Sequence, residues 1–180
     1  MTRDPPRIRV AADADADVLA TLGAQTFRGT FAGANSIEDM NAYVRTSFSS
    51  AGVLAELADA RNTFLLAFIG EAGPPTGYAK LRAGTVDPGV TGPDPIELQR
   101  LYVDRRSIGQ GIGAALMRAS LHAAWSAGFR TLWLGVWEHN PRALSFYERW
   151  GFRTVGDHVF RLGSDDQRDL IMVRAVSVGA

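Results

Sequence analysis

A run of alternating glycines between a predicted strand and a predicted helix is the feature that most constrains the fold of this 180-residue chain. The run lies between Ile108 and Ala114, with glycine at positions 109, 111 and 113. Glycine lets a backbone turn tightly and approach a ligand closely, and the free N–H groups at a helix start attract anions. A plain strand-to-helix turn is the alternative, but it needs fewer glycines. We interpret the segment as a phosphate-binding loop.

The elements around this loop alternate between strands and helices. Residues 7–10, 63–69 and 77–82 have strand patterns. From residue 96 the predicted order is strand, helix, strand, helix, strand, strand, with bounds 96–103, 111–127, 131–136, 141–150, 153–160 and 167–174. A helical crossover joins parallel strands, whereas short turns join antiparallel ones. The sequence therefore predicts a mixed α/β sheet with a parallel central strand pair, flanked by helices, in a single domain over residues 1–180.

Composition excludes several classes of function. Lys and Arg number 19, as do Asp and Glu, so the basic excess of a nucleic-acid-binding protein is missing. The chain has no cysteine, which excludes disulfides and thiolate catalysis. Its three histidines lack metal-ligand spacing, so we predict no metal. We find no signal peptide and no long apolar segment, and we expect a cytoplasmic protein with no membrane partner.

The glycine run also matches a second kind of phosphate site. Gly109-x-Gly111-x-x-Ala114 fits the dinucleotide fingerprint G-x-G-x-x-G/A. However, no acidic residue follows about 20 residues later on a second strand, and no Gly-Lys-Ser/Thr is present to make a nucleotide triphosphate loop. A dinucleotide-binding oxidoreductase is therefore an alternative that the sequence disfavours.

Two motifs in order, with a strand between them, resemble those of a known family. The first combines Leu101-Tyr102-Val103-Asp104 with the glycine run and Leu116-Met117, and the second extends from Asn140 to Phe152. Together they resemble the GCN5-related N-acetyltransferases (GNAT). Further stretches are similar to the bacterial spermidine/spermine N-acetyltransferase branch, namely residues 26–27, 38–43, 77–81, 133–138 and 169–172.

The resemblance implies a fold and a reaction. The expected fold is α/β, a mostly antiparallel mixed sheet with the parallel central pair. The expected reaction is transfer of an acetyl group from acetyl-CoA to a primary amine, by direct attack in a ternary complex and without a metal. A polyamine such as spermidine or spermine is the expected acceptor. A peptide or protein amine, or a non-catalytic acyl-CoA-binding module, is the alternative. The sequence does not determine whether the chain forms a homodimer.

The resemblance also assigns residues to the coenzyme. In the family, a Gln/Arg-x-x-Gly-x-Gly/Ala motif wraps the pyrophosphate, and the preceding strand holds the pantetheine arm through main-chain hydrogen bonds. A family asparagine near the coenzyme matches Asn140, which also suits a helix N-cap. Ile108 departs from the usual Arg or Gln. Arg105 or Arg106 is a candidate for the missing charge, with a plain turn residue as the alternative. The implied coenzyme-binding residues are Leu101, Tyr102, Val103, Ile108, Gly109, Gln110, Gly111, Ile112, Gly113, Ala114, Asn140 and Tyr147.

Two residues receive catalytic roles by resemblance. Tyr147 matches the family tyrosine that protonates the departing thiolate, although a core tyrosine is the alternative. Glu97 occupies the place where several members carry a general base, with a surface or substrate-pairing carboxylate as the alternative. The acceptor site is expected to include Phe27, Glu97 and Trp137. Further aromatic walls are expected from Phe31 and Tyr78. Glu97 and Glu138 lie at opposite ends of neighbouring predicted strands, so both need not reach one ligand.

Overall fold

The computed structural model describes residues 5–31, 33, 36–70, 73–162 and 165–177. In that part of the chain the helices are Ala16–Phe31 (α1), Ile37–Ser47 (α2), Ser50–Ala58 (α3), Ile112–Ser126 (α4) and Pro141–Arg149 (α5). The strands are Arg7–Val10 (β1), Asn62–Phe68 (β2), Gly77–Arg82 (β3), Pro95–Val103 (β4), Thr131–Trp137 (β5), Arg153–Leu162 (β6) and Asp165–Ala175 (β7). The predicted elements from residue 96 onward agree with these bounds to within two residues.

The strands form one sheet in the order β1-β2-β3-β4-β5-β7-β6. Neighbouring strands are antiparallel except β4 and β5, which are parallel because α4 crosses over between them. None of the helices described has both the length and the apolar composition needed to cross a membrane. The predicted fold class, a mostly antiparallel α/β sheet with a parallel central pair, is confirmed.

Both faces of the sheet are covered by helices. On one face the core side chains of α4, including Leu116 and Met117, pack with α5 against β2 to β5. On the other face Leu19 of α1 and Val53 of α3 pack against Phe64 and neighbouring residues of β2. Strand β2 is therefore buried on both sides, which agrees with its continuous apolar run.

The parallel pairing of β4 with β5 is short. It joins Pro95–Glu97 to Thr131–Trp133 and extends no further along the two described strands. Past that point β4 continues to pair with β3, and β5 continues to pair with β7. Lys80 lies opposite Arg100 but Leu81 lies opposite Leu98, so Gln99 is an extra residue in β4. A bulge of this kind bends its strand and increases the local twist, so β4 turns away from β5 and a gap opens between them.

An ion cluster ties α3 to the bulged region of the sheet. The carboxylate of Glu56 lies 2.8 Å from Lys80 Nζ and 2.8 Å from Arg100 Nη1. Lys80 is only 2% exposed, and Arg100 also lies over the ring of Phe48. The shared carboxylate compensates two cations that would be costly to bury without a partner.

Candidate active site

The gap between β4 and β5 opens into a cleft of about 670 Å³. One end of the cleft is lined by the loop before α4 and by the start of α5. The same cleft is also lined by residues of α1, α2, β6 and β7. A second cavity of about 560 Å³ adjoins the first end, shares several lining residues with it, including Val103 and Asn140, and is lined by residues of α1 as well. The cleft therefore runs from the glycine loop to the far strands of the sheet.

The glycine loop has the backbone conformation that its sequence requires. Gly109 and Gly111 have φ angles of +80° and +82°, in the left-handed region that favours glycine. A Cβ at either position would meet no heavy atom within 4 Å, so the space above the loop is open. Gly111 is the N-cap of α4 and provides no side-chain cap. The N–H groups of the first turn of α4 are therefore available to an anion.

The predicted coenzyme-binding residues divide into two groups. Those that line the cleft are Leu101, Tyr102, Val103, Ile108, Gly109, Gly111, Gly113, Ala114, Asn140 and Tyr147. The side chain of Gln110 instead donates a hydrogen bond to the carbonyl of Arg106 at 3.0 Å. Ile112 is 1% exposed and packs in the core beneath α4. Neither residue lines the cleft, so their predicted contact with the coenzyme stays a prediction.

Positive charge near the loop comes from two arginines. Ile108 is 37% exposed and lines the cleft with an apolar side chain. The guanidinium of Arg106 is paired with Asp104 at 3.0 Å. Arg105 and Arg142 line the adjoining cavity, and neither makes an ion pair with any residue that the structure describes. The sequence did not single out Arg142, because only the fold brings the start of α5 beside the loop.

Strand β4 directs main-chain donors into the gap. Asp104 donates its backbone N–H to Thr76 O, on the β3 side. Because successive residues of a strand present their N–H groups to opposite edges, the N–H groups of Leu101 and Val103 face away from β3. Strand β5 has already diverged at this level, so these groups face the gap. The N–H of Tyr102 points to β3.

The start and the middle of α5 supply two of the predicted residues. Asn140 Oδ1 accepts a hydrogen bond from Ala143 N at 3.1 Å, so the N-cap expected from its sequence position is present. Tyr147 is half-buried between the rings of Phe146 and Phe152, at centroid distances of 5.4 and 5.6 Å. Its hydroxyl makes no hydrogen bond to the described residues. Burial raises the pKa of the Tyr147 phenol, which keeps it protonated at neutral pH.

Glu97 lies at the acceptor end of the cleft but is already held by neighbours. Its Oε2 accepts hydrogen bonds from Arg82 Nε at 2.8 Å and from Thr85 Oγ1 at 3.1 Å. Arg82 Nη2 lies 2.7 Å from the same oxygen. This carboxylate is therefore charge-paired and fixed in orientation, and its predicted role as the base stays a prediction.

Aromatic side chains form one wall of the acceptor end. Phe27 stacks on Tyr43 at 4.5 Å and contacts Phe31 at 4.6 Å, and Phe31 lies 5.5 Å from Trp137. Together with Phe160, all four line the cleft. The cleft therefore contains Phe27 and Trp137, as the sequence predicts, and it gains Tyr43 and Phe160.

Two of the residues considered for the acceptor site lie outside the cleft. Tyr78 is 1% exposed and packs in the core under α1, because alternate residues of β3 face the two helical layers. The carboxylate of Glu138 lies 3.1 Å from Arg168 Nη1 and does not line the cleft. The expectation that Tyr78 forms a wall is wrong, while Glu138 and Glu97 do not share the cleft, as their positions at opposite strand ends allowed.

Three titratable side chains outside the predicted set of site residues lie close together at the acceptor end. Asp169 of β7 and His158 of β6 line the cleft, and Asp87 of the β3–β4 loop lies 3.2 Å from the His158 ring. Burial raises the pKa of the Asp169 carboxyl to about 6. No group of three or more His, Asp or Glu side chains suited to a metal ion exists in the described part of the chain.

The raised pKa of Asp169 predicts a pH-dependent stability. An unfolded Asp ionises near ~3.9, so between pH ~4 and ~6 the folded chain retains a proton that the unfolded chain loses. This contribution is complete below pH ~4 and is lost as pH rises through about 6. Asp169→Asn should therefore raise the free energy of unfolding by about 2 kcal/mol at pH 7.5 and much less at pH 4.

Denaturant unfolding across this pH range measures the difference. Asp13→Asn, at an exposed position, serves as the control and should keep the wild-type pH dependence. An Asp169→Asn variant with an unchanged pH dependence would show that folding does not shift the pKa of this carboxyl.

Comparison with known proteins identifies the family. The family model described as Acetyltransferase (GNAT) family matches residues 9–152. An N-acetyltransferase of Mycobacterium tuberculosis described as uncharacterized is 37% identical over 161 residues, covering 89% of this chain and 97% of the relative. Spermine/spermidine N(1)-acetyltransferase of Bacillus subtilis is 31% identical over 61 residues, 33% of this chain and 40% of that protein.

Solved structures agree on the fold. The PaiA N-acetyltransferase of Thermoplasma acidophilum, solved in complex with coenzyme A, superimposes with a TM-score of 0.75 at 22% identity. The match covers 96% of this chain and 99% of that chain. The predicted class of enzyme is confirmed by the family model and by the relatives: this chain belongs to the GNAT family of acetyltransferases.

Proposed function

We propose that this chain is a single-domain N-acetyltransferase that moves an acetyl group from acetyl-CoA to a small primary amine, with a polyamine as acceptor. The observation that carries the proposal is one cleft with two chemically different ends. The donor end has an uncapped helix start and left-handed glycines. The acceptor end has carboxylates and aromatic walls. Coenzyme A in the Thermoplasma structure supports the choice of donor.

The donor end suits the parts of coenzyme A in order. Its pyrophosphate would bind the N–H groups around Gly109, Gly111 and Gly113, where the helix start favours negative charge. Arg105 and Arg142 are placed to pair with further phosphate charge. The pantetheine arm would lie in the gap, hydrogen-bonded to the N–H groups of Leu101 and Val103. The thioester would then reach the middle of the cleft.

The chemistry requires a proton acceptor for the amine and a proton donor for the thiolate. The amine nitrogen attacks the thioester carbonyl carbon, the C–N bond forms, and the C–S bond breaks with its electron pair on sulfur. Main-chain N–H groups of β4 are suited to stabilise the developing oxyanion. Tyr147, protonated at neutral pH, donates to the thiolate. Holding both substrates in one cleft removes the entropic cost of their encounter.

A polyamine fits the acceptor end for two reasons. Its cationic nitrogens need a carboxylate, and Asp169, which makes no ion pair with the described residues, lines this end, whereas Glu97 is already paired with Arg82. Its methylene segments and cations also favour aromatic faces, which Phe27, Phe31 and Trp137 provide. The partial similarity to the Bacillus subtilis spermine/spermidine enzyme supports the same acceptor. Because the chain has zero formal net charge, attraction of a cation has to come from these local groups.

The first prediction concerns the glycine loop. Gly111→Asp places a carboxylate and a Cβ in the open space where the pyrophosphate would bind, so coenzyme A binding should be lost in calorimetry. Gly128→Asp is the matched control, because Gly128 also has a left-handed φ of +91° but lies at the other end of α4. Both variants carry the same backbone strain, and only the first should lose binding. Equal affinity in the two folded variants would contradict the assignment.

The second prediction concerns Tyr147. Tyr147→Phe keeps the ring contacts with Phe146 and Phe152 and removes the proton that the thiolate needs. General acid catalysis is typically worth ~10²–10⁴-fold, so kcat should fall by that order. The KM for acetyl-CoA should change little. Steady-state assays of thiol release measure both constants, and an unchanged kcat would assign Tyr147 to packing alone.

The third prediction concerns the acceptor. Wild-type protein with acetyl-CoA should release free thiol on addition of spermidine or spermine, faster than with a lysine peptide or a peptide with a free N-terminus. The melting temperature of the protein should rise on addition of coenzyme A and should not change on addition of NAD. Turnover with peptides alone would replace the polyamine by a peptide amine and leave the reaction class intact. Binding of coenzyme A without turnover of any amine would indicate a binding module.

A further inference from the structure

Two side chains from different strands meet around an opening in β5. Gly135 is exposed in the middle of that strand, two residues past its last contact with β4. A Cβ at this position would lie 3.5 Å from His158 Nε2 and 3.6 Å from Asp169 Oδ2. Gly135, His158 and Asp169 all line the cleft. The missing side chain thus leaves an opening that an imidazole nitrogen and a carboxylate oxygen flank.

Asp87 fixes the orientation of the His158 ring. One oxygen of Asp87 accepts the backbone N–H of Gly89 at 2.9 Å, which holds the carboxylate in its loop. The other oxygen lies 3.2 Å from His158 Nδ1, and Asp87 is only 14% exposed. Since a carboxylate can only accept a hydrogen bond, Nδ1 of the neutral ring carries the hydrogen. The lone pair is then on Nε2, the nitrogen beside the opening at Gly135.

We propose that His158 is the general base of the reaction, with Nε2 taking the proton of the acceptor amine, Asp87 holding the ring in the required tautomer, and Asp169 binding the ammonium beside it. This inference rests on the proposed function. The bound ammonium loses one proton to Nε2 and becomes a neutral amine with a free lone pair. That amine attacks the thioester carbonyl carbon, the C–N bond forms, and the C–S bond breaks with its electron pair on sulfur. The thiolate takes the proton of Tyr147, the second proton of the nitrogen passes to solvent as the amide forms, and Tyr147 regains a proton from solvent. His158 then releases its proton to solvent.

The surroundings of His158 are suited to this role. The charged groups near it are Asp87 from the β3–β4 loop, Asp169 from β7 and Asp157 on its own strand, and Asp157 is paired with Arg168. Across the same cleft, Glu97 is paired with Arg82. The imidazolium that forms on proton transfer keeps Asp87 as the hydrogen-bond partner of its Nδ1. The carboxylate of Glu97 is already bound by Arg82 and Thr85, whereas Nε2 of His158 faces the opening.

The test measures how the loss of kcat/KM in a His158 variant depends on pH. His158→Gln should lower kcat/KM for the amine by ~10²–10⁴-fold at pH 7. The deficit should shrink as pH approaches the amine's own pKa near ~10, because more of the amine then arrives unprotonated. It should also be small at pH 7 for an amine of low basicity such as trifluoroethylamine. A merely structural role would give one deficit at every pH and for every amine.

Two further variants complete the comparison. His122→Gln, on an exposed position of α4 outside the cleft, should behave as wild type. Asp87→Asn should show a smaller deficit with the same pH dependence. If Glu97→Gln shows the pH-dependent deficit and His158→Gln does not, Glu97 is the base and the proposal is overturned.

A measurement without turnover separates this inference from the proposed function. In ¹⁵N NMR of the free protein, the His158 ring, assigned with the His158→Gln variant, should have its hydrogen on Nδ1 and a bare Nε2. A hydrogen on Nε2 in the neutral ring would overturn the proposal even if the enzyme is active. Wild-type protein that acetylates no amine, but has the expected tautomer, would overturn the function and leave the geometry of His158 established.

Discussion

The divergence of β4 from β5 after three paired residues is the constraint on which the rest of the site depends. Two parallel strands in the middle of a sheet normally satisfy each other's main-chain groups along their whole length. Here the extra residue at Gln99 turns β4 away, while β5 stays paired with β7. The result is a central gap with unpaired donors on one side and an exposed glycine on the other. Because α4 is the crossover between these strands, its start lies at the mouth of the same gap.

The charges along the cleft are arranged by the same topology. The α4 N-terminus, Arg105 and Arg142 make the donor end favourable for phosphates. At the acceptor end the charge of Glu97 is compensated by Arg82, and the carboxylate of Asp169 makes no ion pair with any described residue. The chain as a whole has zero formal net charge, so this contrast is local and cannot be seen in the amino-acid composition. In the proposed function, the anionic donor and the amine acceptor meet in the middle, where β4 and β5 separate.

The sequence predicted what local patterns determine. The glycine loop, the crossover around α4 and the cap at Asn140 follow from residues within a few positions of one another, and the structure contains all three. The sequence did not reveal the group around His158, because Asp87 is 71 residues away from it in the chain and only the β6–β7 hairpin brings Asp169 opposite. The pairing of Glu97 with Arg82 is a cross-strand contact of the same kind. Tyr78 was predicted on the wrong face of the sheet. Successive side chains of β3 alternate between the two faces, so an error of one residue moves a side chain from the cleft to the core.

The central claim is that the gap between β4 and β5 holds the acyl donor through the main chain of β4. Amide hydrogen exchange by NMR, with and without coenzyme A, tests it at single residues. The account predicts that coenzyme A strongly slows exchange at the N–H groups of Leu101 and Val103. The N–H of Tyr102, which already faces β3, should change much less. Unchanged exchange at Leu101 and Val103 with saturating coenzyme A would contradict the account, because the donor would then bind outside the gap.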